Sequence, residues 1–384
     1  MLKQPVYINA LASVSPLGSM ATEIWNAYKS PASVLQLTSD NEARIMVGKL
    51  PVKVQAEITQ LRNSKPAYQH LDNSVLYAVY AAEKALAQTT WGTDSDIGVN
   101  IGSSRGATAL FEQYHEGFLA TKNAETLSSP TTTLGNIASW VAQAIKAKGP
   151  VISHSITCST ALHALLNGVA WLQSGMAQQF LVGGSEAALT PFTIAQMQAL
   201  KIYSKETDAY PCRALDLSKT KNTMVLGEGA AVAGISLTNE NALATIVGIG
   251  YATEMLAHNI SISSNALCFQ DAMRMAIGDI PLGEIDAIVL HAPGTKKGDT
   301  AEVAAIQAVF WEYTPALTTN KWKIGHTFGA SGMLSLELAV LMLQHQEFIP
   351  VPFIDNPNVP KKLRTILVNA VGFGGNAVSI LVQR

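Results

Sequence analysis

A cysteine and two histidines have the types and settings that covalent catalysis requires. Cys158 lies in Thr157-Cys158-Ser159-Thr160-Ala161-Leu162, where a short apolar strand meets a long apolar helix with Leu162, Leu165, Leu166, Val169 and Leu172 at helical spacing. A thiol at such a junction lies near the positive end of a helix dipole, which favours the nucleophilic thiolate. A lone cysteine in an apolar run is otherwise a small core residue, and Cys212 and Cys268 are read that way. His291 follows the strand Ala287 to Leu290 and opens His291-Ala-Pro-Gly-Thr-Lys-Lys-Gly-Asp299, with Glu302 on the next helix. His326 lies in Lys321-Trp-Lys-Ile-Gly-His-Thr-Phe-Gly-Ala-Ser-Gly332, whose small residues allow a substrate or another backbone to come close. The remaining histidines, His70, His115, His154, His163, His258 and His345, have no comparable setting.

The elements that must position these residues alternate between short β-branched runs and longer helical ones, which predicts an α/β protein with buried sheets. Strands are expected at 97–101, 180–182, 230–236, 287–290 and 365–368, and helices at 74–87, 161–175, 300–311 and 331–344. Two final strands near Leu367 and Ile380 flank a turn, Gly372-Phe373-Gly374-Gly375. The segments Ile156 to Leu162 and Ile324 to Gly332 echo each other, each opening an apolar helix at small residues. That fits two related halves, 1–237 and 238–384, meeting at a shared site. The polar stretch from Ser204 to Asn222 is expected to be an extended functional loop.

Of the 384 residues, 48% are hydrophobic and only 14% charged, against roughly 25% charged in ordinary globular chains. So little charge predicts surface hidden in a deep core or against another subunit. A net charge of -2 argues against nucleic acid as a partner. Three scattered cysteines offer neither a disulfide framework nor metal-ligand spacing. The N-terminus has no signal-peptide core, and no run of about 18 apolar residues marks a membrane span. The expectation is a cytoplasmic protein.

In order along nearly the whole chain, these motifs resemble those of an elongating β-ketoacyl-[acyl-carrier-protein] synthase of the thiolase superfamily. The family's Thr-Ala-Cys-Ser-Ser corresponds to Ile156 to Thr160. Its His-Gly-Thr-x-Thr with downstream Asp and Glu corresponds to His291 to Thr295, Asp299 and Glu302. Its Lys-x-x-x-Gly-His corresponds to Lys321 to His326, and its terminal Gly-Phe-Gly-Gly stands intact at Gly372 to Gly375.

The resemblance implies a thiolase-like fold of two pseudo-duplicated halves in αβαβα layers. It also implies a decarboxylative condensation of an acyl-enzyme with malonyl-acyl carrier protein in fatty acid, polyene pigment or polyketide synthesis. Cys158 would carry the acyl group, and His291 and His326 would stabilise the enolate. Lys321 would support His326 with Glu302 as its ion-pair partner, and Asp299 would support the loop. The amides of Cys158 and Phe373 would form an oxyanion hole, with the Phe373 side chain as an acyl gate. No nicotinamide, flavin or metal is implied. Implied partners are acyl carrier protein and a second copy or related ketosynthase in a dimer. The alternative is a non-catalytic chain-length-factor partner, against which retention of Cys158 weighs. A thiolase acting on coenzyme A is disfavoured by His326. Ala292-Pro293 and Asn376 depart from the pattern, as does Ser335, which stands where the family has a glutamate and puts a bound monovalent cation there in doubt.

Overall fold

The strand Thr365–Gly372 is apolar on both faces: Ile366, Val368 and Ala370 enter one buried cluster, Leu367 and Val371 another. Its hairpin partner Asn376–Gln383 divides likewise, with Val378, Ile380 and Val382 on one side and Ala377 and Leu381 on the other. Side chains alternate along a strand, so such a run needs helices on both faces of its sheet.

The computed structural model describes residues 2–38, 44–92, 96–256, 262–311 and 313–384. His258 lies outside them. The strands are β1 (Val6–Val14), β2 (Gln36–Thr38), β3 (Ile45–Val47), β4 (Ile97–Gly102), β5 (Val151–Ile152) and β6 (Gln179–Glu186). They continue as β7 (Gly229–Ser236), β8 (Ala244–Thr253), β9 (Ala287–Val289), β10 (Ala316–Thr318), β11 (Thr365–Gly372) and β12 (Asn376–Gln383). Ten of them run in the order β10-β9-β11-β12-β8-β1-β7-β6-β4-β5, while β2 and β3 form a separate hairpin.

This long sheet divides at β1 and β8, which share only three residue pairs. Outward from that joint, β1-β7-β6-β4-β5 and β8-β12-β11-β9-β10 repeat one chain order and one pattern: two antiparallel pairings, then two parallel ones. On that repeat we propose the division into halves at residues 1–237 and 238–384.

The helices Thr160–Gln173 and Ser331–His345 share one apolar cluster with inward-facing residues of both half-sheets: Phe180, Val182 and Ile235 from the first, Ile366 and Ile380 from the second. Asn73–Leu86 and Asn136–Ile145 cover the outer face of the first half-sheet, Leu267–Ile277 and Lys296–Val309 that of the second. Helix, sheet, helix, sheet and helix follow in turn, the αβαβα layering that the resemblance implied.

The expected strands fall within β4, β6, β7, β9 and β11, except that β9 ends one residue early at Val289. The helix expected from 300 begins four residues earlier, at Lys296, because the Thr295 hydroxyl caps it by accepting from the Gly298 amide at 3.2 Å. The stretch from Ser204 to Asn222 has neither helix nor strand, yet Cys212, Ala214 and Leu215 within it are fully buried. It is a packed strap rather than a solvent loop.

Candidate active site

Each of the three reactive side chains stands just upstream of a helix: Cys158 before Thr160–Gln173, His291 before Lys296–Val309, His326 before Ser331–His345. Thr160 locks the cysteine turn, its hydroxyl accepting from the Ile156 amide at 2.9 Å and donating to the Thr157 carbonyl at 2.6 Å. A non-glycine residue with positive φ sits beside each reactive group: Thr157 (46°), Ala292 (25°) and Phe328 (41°). Such conformations cost on the order of 1–3 kcal/mol each and persist only where the surroundings impose them.

The surroundings are carboxylates and backbone. Glu302 accepts the His291 and Ala292 amides at 2.9 and 2.8 Å. Glu186, at the end of β6, accepts the Gly329 amide at 2.9 Å together with the Ser104 and Arg105 amides and the Ser103 hydroxyl. The His326 amide donates to the Val225 carbonyl at 2.7 Å, and the Gly227 amide returns to the His326 carbonyl at 3.0 Å.

Cys158, His291 and His326 are all buried and line one apolar cavity of about 170 Å³. The two imidazoles meet edge to face with centroids 5.2 Å apart. Phe373, 38% exposed, completes the wall. Its turn rests on the cysteine turn, where the Thr157 hydroxyl donates to the Phe373 carbonyl at 3.4 Å. A Cβ on Gly372 would stand 2.0 Å from the Thr157 hydroxyl oxygen and 2.6 Å from the Ile156 carbonyl oxygen. Glycine is therefore required there by close approach.

Burial pushes the Cys158 thiol up to about 12; Glu186 adds to this, and Lys321 and Arg105 oppose it. The helix mouth therefore does not give the resting thiolate expected from sequence, because dehydration outweighs it. Burial and then the Lys321 charge hold His326 down at about 3 and His291 well below its ordinary value. Both rings are neutral at pH 7. Among the described residues the buried Nδ1 atom of each has no partner, so no carboxylate there holds either ring from that side.

Lys321 is buried, and dehydration lowers it to about 8. Its charge and that of Glu302 favour each other, but the expected ion pair is not a direct contact: that carboxylate is engaged by two backbone amides and by Asn369 at 3.3 Å, and the Lys321 ammonium lies 3.5 Å from the Ser335 hydroxyl. Asp299 accepts the Gly294 and Leu215 amides at 3.0 and 2.8 Å and pairs with Lys219 at 2.7 Å, both side chains being buried. It thus ties the His291 loop to the 204–222 strap. Sequence reasoning missed Lys219, which is one of several lysines in that strap. It also missed Arg105, although Arg105 follows the end of β4 much as His291 follows β9.

Two family models match the chain: β-ketoacyl synthase, N-terminal domain, over residues 3–240, and β-ketoacyl synthase, C-terminal domain, over residues 243–354. The chain belongs to the β-ketoacyl synthase family. Curated relatives include 3-oxoacyl-[acyl-carrier-protein] synthase 2 of Coxiella burnetii, 25% identical and aligned over 100% of this chain and 99% of its own length. Nodulation protein E of Rhizobium meliloti is 25% identical, aligned over 98% of this chain and 99% of its own. Among solved structures, the ishigamide ketosynthase/chain length factor superposes with a TM-score of 0.86 at 19% identity, covering 99% of both chains. A β-ketoacyl synthase from Burkholderia phymatum STM815 superposes at 0.83 with 22% identity, again over 99% of both. At these identities the superpositions establish that this synthase-family chain shares the ketosynthase, thiolase-like fold.

Proposed function

We propose that this chain carries out the decarboxylative condensation of an acyl-enzyme thioester with malonyl-acyl carrier protein, giving a 3-oxoacyl product in fatty acid, polyene pigment or polyketide synthesis. The observation that carries this reading is the convergence of Cys158, His291 and His326, distant in sequence, on one buried cavity. Cys158 attacks the acyl thioester, forming an S–C bond as the carrier thiol leaves with the cysteine's proton. Because the resting group is a thiol, the proton must move during attack, and it passes to the carrier thiolate as that group leaves, since imidazoles held this weakly basic are poor acceptors. The Cys158 and Phe373 amides hold the oxyanion. The Phe373 side chain, on a turn with glycine at Gly374 (φ 98°) and Gly375 (φ 72°), gates the acyl chain.

Malonyl-carrier protein then loses CO2. The electron pair left behind becomes an enolate whose oxygen accepts hydrogen bonds from His291 and His326. Neutral rings suit this donor role; burial first and then the Lys321 charge keep them neutral, and that charge adds positive potential. The enolate carbon bonds to the acyl carbon, and Cys158 leaves as thiolate, which takes a proton from solvent to restore the resting thiol and close the cycle. Glu302 and Asp299 position the His291 loop. A fixed site that holds both reactants supplies proximity as well as charge.

Acyl carrier protein is the proposed partner. A structural neighbour at TM-score 0.84 and 20% identity is titled a type II PKS acyl-carrier protein in complex with its ketosynthase bound to the hexaketide. The helix Thr108–Thr121 has no buried residue and presents Phe111, Phe118 and Leu119, which supports pairing with a second copy or a related ketosynthase. Among the described residues no helix is long and apolar enough to cross a membrane. The three free, buried cysteines suit a reducing cytoplasm.

The ketosynthase/chain length factor neighbour and the Ala292-Pro293 loop keep the silent-partner reading in view. Purified chain supplied with acyl- and malonyl-carrier protein decides between them. Formation of 3-oxoacyl product that is lost in Cys158→Ala supports condensation, whereas no product from the wild type supports the silent partner.

A further inference from the structure

Cys158 also lines a second cavity, of about 400 Å³, that neither imidazole lines. Phe328 and Phe373 are walls of both cavities. His291 and His326 line only the first, so the malonyl group and its enolate belong there. The second is left for the acyl chain that Cys158 carries, a placement that rests on the acyl-enzyme reading above.

That second cavity is not the apolar sleeve that an alkyl chain requires. Phe111, Phe192, Phe328 and Phe373 supply aromatic walls, but Arg105, Glu112 and Gln196 stand among them. The Arg105 guanidinium lies over the Phe328 ring at 5.0 Å, and its Nη1 donates to the Gln196 amide oxygen at 2.5 Å. Stacking and that bond fix the plane of the group. Its Nε is sealed from the cavity, whereas Nη2 is accessible and, among the described residues, has no hydrogen-bond partner. A saturated chain laid against Nη2 would remove its water and leave that donor unmatched, whereas an oxygen on the chain would accept from it. Glu112, whose carboxylate accepts from the Thr190 hydroxyl at 2.5 Å, lines the same space and repels an anionic chain end. The match is to a neutral acceptor.

We propose that Arg105 is a specificity-determining residue that selects acyl groups bearing a carbonyl or hydroxyl oxygen along the chain over saturated ones. Competition between hexanoyl, 3-hydroxyhexanoyl and 5-oxohexanoyl thioesters of N-acetylcysteamine, offered together and read by intact-protein mass, tests this directly. One oxygenated chain should label Cys158 about tenfold to a hundredfold faster than hexanoyl, the range expected of a single matched donor. Arg105→Met should bring the ratio close to one. A ratio within one sample is insensitive to the fraction of folded protein. If Arg105→Met does not fold, Gln196→Leu, which frees the guanidinium from its anchor, should lower the same ratio. Equal labelling by all three thioesters in the wild type, or a preference unchanged by Arg105→Met, overturns the proposal. No labelling by any of them overturns the acyl-enzyme reading beneath it.

Discussion

Replacing Glu302 with glutamine tests how the His291 loop is held. The carboxylate accepts the His291 amide on one oxygen at 2.9 Å and the Ala292 amide on the other at 2.8 Å. Asn369 donates a third bond, at 3.3 Å, to the oxygen that serves His291. Glutamine keeps the shape but offers one oxygen and one NH2, so a buried backbone N–H must face another donor. Losing one charge-assisted bond costs about 1.5–3 kcal/mol. With the opposed donors added, the total is about 2–4 kcal/mol, a large part of the 5–15 kcal/mol typical of a folded domain. Burial raises Glu302 to about 7, so urea unfolding at pH 8 compares the amide with an ionised carboxylate. Displacement of His291 should slow condensation roughly a hundredfold. Acyl loading of Cys158, which lies on a different turn, should change by less than about threefold. Unchanged stability, or an equal loss in both half-reactions, would refute the assignment of Glu302 as the anchor of this loop.

Gly372→Ala should separate the Phe373 turn from the cysteine turn, since the added carbon meets the Thr157 hydroxyl oxygen at 2.0 Å; acyl loading followed by mass should fall about a hundredfold, and wild-type loading would contradict the packing. Lys219→Met leaves Asp299 as an unpaired buried charge and should cost about 3–5 kcal/mol in equilibrium unfolding, with Lys219→Met/Asp299→Asn recovering part of the loss. Glu337, buried in the helix Ser331–His345, has its carboxyl raised by burial from 4.5 to about 7. The folded state therefore holds a proton that the unfolded chain has released, and the associated stability is present below pH 4.5 and lost as pH rises through 7. That gap corresponds to roughly 3 kcal/mol, so Glu337→Gln should gain about that much relative to wild type between pH 4 and pH 8, and a flat difference would show that the group is not held protonated.

The periodicity of apolar residues made the layers legible: the strand Thr365–Gly372 is apolar toward both helix layers except at Asn369, which bonds to Glu302 of a covering helix, and the helix at Thr160 carries its leucines on schedule. Cys158, His291 and His326 were legible because each stands at a strand or loop end among small residues, a local signal. What the sequence left hidden depends on distance and dehydration. The Lys219–Asp299 pair joins residues 80 positions apart, and nothing local marks that lysine among its neighbours. Glu302 was expected to face Lys321, but two backbone amides lie nearer. The thiol at the helix mouth was expected to ionise, because a dipole can be read from sequence and the depth of burial cannot. Arg105 sat in plain view in Gly102-Ser-Ser-Arg-Gly106, yet its position beside Cys158 depends on β4 and the cysteine turn meeting in space.

In the proposed reaction Cys158 takes up the acyl group first, and locating that bond tests it most directly. The wild-type chain, incubated with radiolabelled hexanoyl-acyl carrier protein, digested and analysed by peptide mass, should carry one hexanoyl group on the peptide containing Cys158. Addition of malonyl-carrier protein should then discharge it. A chain that stays unlabelled, or one labelled on Cys212 or Cys268 instead, would contradict the claim.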